Sequence, residues 1–226
     1  MKRIIFTMIL ILFAFMVRTN VSAADIGVGA MGWFSGWEMK QSGSNSDIKP
    51  TVLYGPVMTV GFDKTWSLSG VFLYGVFKMK NGNDSSYQNI RRFDADITLN
   101  RIVTPNVKVF GGAKVMNYSF GGGYHFSAGP ALGVGLSYPL SESFFVLYNV
   151  SAMMLRGTHK DPDSAARPFW APGYNTTLSG AYYFTSISTT LNAGLRLQYF
   201  RDIYSDKGNN DSHYFYGVFI SAVYSF

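Results

Sequence analysis

Charged residues alternate along Arg92-Phe-Asp-Ala-Asp-Ile-Thr-Leu-Asn100, so Arg92, Asp94, Asp96, Thr98 and Asn100 share one face. Phe93, Ala95, Ile97 and Leu99 share the other. A period of two is that of a β-strand, whose successive side chains point to opposite sides. The next alternating stretch puts Lys108 and Lys114 on one face. A hairpin turning at about 103–105 sets Asp94 opposite Lys114 and Asn100 opposite Lys108. Opposite charges directly across two strands are worth about 0.2–1 kcal/mol in water. Away from water the stake rises, because removing one partner leaves a buried charge uncompensated. Arg196, with Asn192 and Gln198 on a later strand, is expected to point into the same space. Such a cluster either selects ions in a narrow pore or forms a polar plug that fills and stiffens the lumen.

Other residues invite chemistry less strongly. His125-Phe126-Ser127 places an imidazole and a hydroxyl on one strand face, the spacing at which a base reaches a nucleophile. His159, Asp161 and Asp163 fall in a polar stretch at 157–173, and Asp211 with His213 in another at 201–213. His and Asp can ligate a metal, but solvated loops collect them too. Gly27-Val-Gly-Ala-Met-Gly32 has the letters of a dinucleotide fingerprint without the preceding strand and following helix that it requires. Phe169-Trp170 reads as an exposed aromatic pair in the 157–173 loop, either a surface-binding hot spot or, more plainly, a pair folded over a mouth or resting at a lipid interface. No catalytic, cofactor-binding or metal residue is assigned, and no cofactor is expected.

The elements that position these residues are strands. Met1 to Ala23 reads as a signal peptide: Lys2 and Arg3, then the apolar stretch from Ile4 to Val17, then Val21-Ser22-Ala23 before the cut. Residues 24–226 form the working domain. Without Lys2, Arg3 and Arg18 it carries 16 basic residues against 13 acidic ones, a net +3, too little for a basic nucleic-acid stripe. No run after the cut is long and apolar enough for a membrane helix. Fifteen Tyr, 19 Phe and 24 Gly are many for a soluble domain and suit a membrane barrel with interfacial aromatic girdles.

Alternating segments recur at about 25–37, 51–62, 65–78, 90–101, 106–118, 125–138, 143–156, 174–184, 188–200 and 214–226. Short joins alternate with longer polar ones at 38–50, 79–90, 119–124, 157–173 and 201–213. Aromatics flank the short joins at Phe62, Trp66, Tyr138, Phe144 and Phe184. This predicts an all-β fold: a single antiparallel up-and-down transmembrane β-barrel of ten strands, with eight or twelve as alternatives. Pro56 and Pro130 fall mid-strand, where a closed barrel has no free edge, so a bulge or a displaced boundary is expected at each. The last strand carries Tyr214, Tyr216, Val218, Ile220, Ala222, Tyr224 and Phe226 on one face and should close the barrel against the first. Its other face holds Phe215, Phe219 and Val223, which favours a filled lumen.

With its leader, its alternating strands and its terminal Tyr224-Ser225-Phe226, the chain resembles the small outer-membrane β-barrel proteins of Gram-negative bacteria, a porin-like group. The resemblance implies a place in the bacterial outer membrane, among its lipid and lipopolysaccharide. It also implies help from periplasmic chaperones and the barrel-assembly machinery, with Tyr224 and Phe226 as the assembly signal. No nucleic-acid partner is expected, and the external ligand is open. The implied activity is a narrow channel for small solutes or ions with a charged, partly plugged lumen. A non-conducting structural or adhesive barrel is the alternative, and an enzyme acting on lipid A the remote one. Lipid A 3-O-deacylases share the His-x-Ser spacing, but Ala128 stands where they have Asn, and the phase points His125 inward. Omptin proteases, also ten-stranded, carry a His and several Asp at the outer rim.

Overall fold

The computed structural model describes residues 25–41, 44–45, 47–80, 86–162, 164–204 and 210–226. The leader at 1–23, Asp163 and parts of three loops lie outside the described residues. Ten long strands follow one another: β1 Ile26–Gln41, β2 Thr51–Gly61, β3 Trp66–Lys80, β4 Tyr87–Thr104 and β5 Val107–Phe120. Then come β6 Gly123–Pro139, β7 Phe144–Lys160, β8 Arg167–Phe184, β9 Thr189–Tyr204 and β10 Asp211–Ser225. Each pairs antiparallel with its neighbours in sequence, and β10 pairs with β1 from Gly27↔Ser225 to Lys40↔Ser212. The sheet is therefore a closed ten-stranded barrel without a free edge. Two further two-residue ladders, at Ser44–Asn45 and Ile48–Lys49, fasten the chain between β1 and β2 to the ends of β1 and β3.

The alternation of the sequence becomes the wall of the barrel. On β4, Arg92, Asp94 and Asn100 are buried inside, while Phe93, Ile97 and Leu99 are exposed outside. The outward face is apolar around the circumference, with Phe34, Tyr54, Leu132, Val150, Leu178, Leu195 and Ile220 among its exposed members. Strands of 11–18 residues cover more than the roughly 9–11 that a tilted strand needs to cross a bilayer.

The short joins are specified locally. Asp63 Oδ1 accepts from the amides of Thr65 at 2.6 Å and Trp66 at 2.8 Å, closing the β2–β3 turn. Ser141 Oγ accepts from the Phe144 amide at 3.1 Å in the β6–β7 turn. Outward Phe62, Tyr138 and Phe184 stand at this end, as a girdle requires.

Several expectations are corrected. The joins at the other end are shorter than the polar composition suggests. β8 begins at Arg167, so most of 157–173 is strand, and the expected 119–124 loop is the two-residue turn Gly121-Gly122. That turn needs its glycines, whose φ values are 45° and 97°. The expected bulges at Pro56 and Pro130 are absent: the strands run through both prolines with constant register on either side. Each proline instead interrupts the ladder on one side, and Pro172 does the same between β8 and β9. The register shift lies elsewhere, between Ile102 and Thr104, beside the turn that starts β5.

Candidate functional site: the barrel lumen

Inward side chains fill the barrel in three layers. At the short-turn end the lining is small and polar. Asn100 Nδ2 donates to Ser69 Oγ at 3.1 Å and Asn149 Nδ2 to Thr177 Oγ1 at 3.1 Å. Ser151, Ser179 and Ser221 belong to the same vestibule.

Above the vestibule stands the charge cluster anticipated from β4 and β5. Arg92 pairs with Asp94, both buried. Lys114 Nζ reaches Asp94 at 2.6 Å and Asp96 at 2.9 Å. Arg196 closes the set from β9, with Nη2 2.8 Å from Asp96 Oδ2 and 3.9 Å from Asp94 Oδ1. Its Nε donates to Asn175 Oδ1 at 3.1 Å. The network spans the neighbouring strands β4 and β5 and, from elsewhere on the wall, β9. It crosses the lumen as a bar, and Trp33, fully buried, lies beside it with the Arg196 guanidinium 4.7 Å from its ring. Three cations face two carboxylates. The surplus falls on Arg92, whose Nε and Nη1 lack hydrogen-bond partners among the described residues and whose guanidinium lies 3.6 Å over the Phe215 ring. The π face of that ring offsets part of the missing counter-charge.

The third layer is aromatic. Trp37 stacks on Tyr118 and on Phe215, each at 5.1 Å, and meets Phe77 edge-on at 5.3 Å. All three histidines of the chain join it from different strands. His213 Nε2 lies 3.0 Å and His125 Nε2 3.6 Å from Asp202 Oδ2, and His125 Nδ1 faces His159 Nδ1 at 3.4 Å. His125 also stacks on Phe169 at 4.4 Å.

The expected residues divide as follows. Arg92, Asp94, Asp96, Lys114 and Arg196 come together. Lys108 does not join them: it points inward near the turn, paired in register with Ile102, and makes no ion pair among the described residues. The expected register is also two residues off. Lys114 lies opposite Asp96 rather than Asp94, and Asn100 opposite Phe110 rather than Lys108. The reason is the turn, which sits at Pro105-Asn106 and closes on Thr104↔Val107, one to two residues later than the polar pattern suggested.

His159 and His213 do not lie in solvated loops; they face the lumen from β7 and β10. Phe169 and Trp170 do not form an exposed pair. Phe169 is buried within the lumen, and Trp170 is exposed outside, its ring 5.6 Å from the Arg156 guanidinium. Asp202 escaped the sequence reading altogether. Its signal was parity, because Asp202 and Tyr204 continue the inward face of Arg196, Gln198 and Phe200.

His125 and Ser127 are inward and buried as expected, but Ser127 Oγ has no hydrogen-bond partner among the described residues, so the imidazole does not reach it. Among the described residues no group of three His, Cys, Asp or Glu side chains is placed to hold a metal ion. The Gly27–Gly32 letters lie along β1. Tyr224 and Phe226 point outward at the short-turn end, rings edge-on at 4.9 Å, and the Phe226 amide donates to Ile26 O at 2.9 Å.

No family model matches the sequence, and no curated protein matches it. Solved structures do. The chain is similar to the outer membrane protease OmpT from Escherichia coli, at 11% identity and a TM-score of 0.53, over 92% of this chain and 99% of that one. It is also similar to the beta domain of the Bordetella autotransporter BrkA (9% identity, TM-score 0.49, 90% and 99% covered). A third is the outer membrane protein OprG from Pseudomonas aeruginosa (13% identity, TM-score 0.39, 90% and 96% covered). At such identities the likeness is one of fold alone.

Proposed function

We propose that this chain, a ten-stranded barrel with the outer-membrane fold, works as a sealed barrel rather than a standing pore. One observation carries this reading. The Arg92–Asp94–Lys114–Asp96–Arg196 bar crosses the lumen with every member but Asp96 buried, and the Trp37–Tyr118–Phe215 stack covers it. A barrel slightly wider than eight strands is one whose interior side chains can fill, and these do. The charges are held in place by mutual pairing, so the plug also braces the wall from three strands at once.

A second reading, a narrow conduit opened by movement of the bar, is favoured by its chemistry. The obstruction at mid-lumen is made of ion pairs, which can exchange partners, and Asp96 keeps 25% of its side chain exposed. The planar-bilayer current of refolded protein tests the first reading. The expected result is no steady current from the native chain and steady steps from Arg92→Ala/Arg196→Ala. A steady ohmic current from the native chain overturns the sealed barrel and supports the conduit.

A further inference from the structure

The lumen below the bar holds a cation that the bar does not use. Lys108 opens a row of inward residues paired in register across five strands: Lys108↔Gly135, Gly135↔Asn149, Asn149↔Thr177 and Thr177↔Arg196. The row starts beside the β4–β5 turn and, because barrel strands are tilted, climbs to the bar. Its two ends differ. Arg196 is engaged by Asp96 and Asn175, whereas the Lys108 ammonium makes no ion pair or side-chain hydrogen bond among the described residues. Two glycines seat that lysine. A methyl group on Gly135 would fall 2.5 Å from Lys108 Cε and 2.5 Å from Asn149 Oδ1, so the bare position lets the stem lie across β6 against the Asn149 amide. A methyl group on Gly133 would fall 2.4 Å from Phe110 Cζ, so the Phe110 ring lies over the next inward row, 5.7 Å from Lys108 Nζ. The stem is held between an amide and a ring, and its charge is left in the lumen.

The electrostatics of this space favour an anion. From Lys108 to the bar, the charged side chains at inward strand positions are four cations, Arg92, Lys108, Lys114 and Arg196, against the carboxylates Asp94 and Asp96. The charged side chains at the short-turn rim, Asp25, Asp63, Lys64, Arg101 and Glu142, are exposed, where water and salt screen them. The hydrogen-bonding groups call for hydroxyls as well. Asn149 Nδ2 donates to Thr177 Oγ1 at 3.1 Å, which leaves the second amide hydrogen and the threonine hydroxyl hydrogen to donate elsewhere. Two inward rows nearer the turns, Asn192 Oδ1 is buried with no hydrogen-bond partner among the described residues, an acceptor that a ligand hydroxyl can serve. Small neutral side chains that donate and accept, beside one fixed cation and one aromatic face, suit a molecule with several hydroxyls and one anionic group.

We propose that this cup binds a hydroxylated organic anion, a sugar phosphate or a sugar acid, with its anionic group on the Lys108 ammonium and its hydroxyls on Asn149, Thr177 and Asn192. The cup opens on the side of the short turns, which in outer-membrane barrels is the periplasm, and the bar makes it blind at the other end. The inference rests on the sealed barrel for that blind end alone. Isothermal titration calorimetry of the refolded barrel in neutral detergent tests it, with glucose-6-phosphate, glucuronate, glucose and inorganic phosphate as titrants. One-to-one binding of glucose-6-phosphate or of glucuronate is expected, the tighter of the two identifying the anionic group. Glucose and inorganic phosphate should each bind at least tenfold more weakly. Lys108→Gln should weaken the binding tenfold or more, Lys108→Arg should restore most of it, and Lys64→Gln in the exposed β2–β3 turn should leave it unchanged. Equal binding of glucose removes the need for the anion, equal binding of inorganic phosphate removes the need for hydroxyls, and either overturns the ligand class. Binding indifferent to Lys108→Gln, or no binding of either anion by a barrel of native heat-modifiable gel mobility, overturns the site. A steady bilayer current from the native chain sinks the sealed barrel and leaves the calorimetry to decide this site.

Discussion

Lys114 faces Asp96 across the β4–β5 register, yet its ammonium lies closer to Asp94, at 2.6 Å against 2.9 Å. The long side chain leans along the strand and bridges two carboxylates that would otherwise repel each other on one face. Three strands contribute to the bar; Lys114 joins its two acids within 2.9 Å, and Arg196 reaches the same two at 2.8 and 3.9 Å.

Removing that ammonium should therefore be costly. Lys114→Ala leaves buried Asp94 to Arg92 and a more distant Arg196, and breaking a buried pair from one side typically costs about 3–5 kcal/mol. Urea unfolding of the refolded barrel in lipid, followed by tryptophan fluorescence, should show a loss of that order. Lys108→Ala, also inward but without an ion pair, should shift the midpoint far less. Equal effects would mean that the bar contributes nothing beyond side-chain packing.

The sign of the bar sets a second expectation. It holds three cations and two carboxylates, so a pore opened by Asp96→Ala is lined by three cations and one carboxylate. Rings of side-chain charge bias permeation toward counter-ions. In a potassium chloride gradient the reversal potential of that variant should move toward the chloride equilibrium potential. A shift toward potassium would show that permeating ions pass outside the reach of these residues.

How much of this was legible in the sequence follows from solvent. Where the lumen lining is polar and the outer wall apolar, as at Arg92–Asn100, alternation shows directly, and the strands and the five-member bar could be read from it. Where the lining is aromatic, as at Phe169, Phe200 and Phe215, both faces look apolar and the phase fades. Where inward polar residues run on beyond the bilayer, as at His159, Asp202 and His213, the pattern resembles a solvated loop. That is why the alternation puts the start of β8 at 174, whereas the strand starts at Arg167. The register error has a different origin: turn position, fixed by Pro105-Asn106 and a one-residue irregularity, is invisible to a period-two pattern.

Phe169 and Trp170 give a test of that corrected phase. Phe169 is buried and stacked on His125, whereas Trp170 is half-exposed on the outer wall. Truncating a buried Phe typically costs about 3–5 kcal/mol, because the surrounding structure fills the cavity only in part. Phe169→Ala should lower the urea midpoint strongly and Trp170→Ala much less. In lipid vesicles carrying a brominated quencher, Trp170 should be the accessible one of the pair when each position in turn bears the reporter tryptophan (Phe169→Trp in a Trp170→Phe background). Reversed sensitivities would return both residues to a loop.

The β2–β3 turn carries a pH dependence of its own. The Thr65 amide, the Thr65 hydroxyl at 2.8 Å and the Trp66 amide all donate to Asp63 Oδ1 and hold this carboxyl below its ordinary value of 3.8. A carboxyl whose folded value is depressed contributes stability that is complete above its unfolded value and is lost as pH falls through the folded one. At pH 7 Asp63→Ala should thus unfold at lower urea than the native chain, by a small margin because the turn is fully solvated. The margin should narrow steadily as pH drops below about 4, where the native carboxylate itself takes up a proton. Asp63→Asn, which keeps an acceptor oxygen without the charge, should show a smaller margin at pH 7 that narrows over the same range, because the pH dependence belongs to the native carboxylate. If the Asp63→Ala margin were the same at pH 3 as at pH 7, the turn would owe its shape to the chain around it and not to this carboxylate.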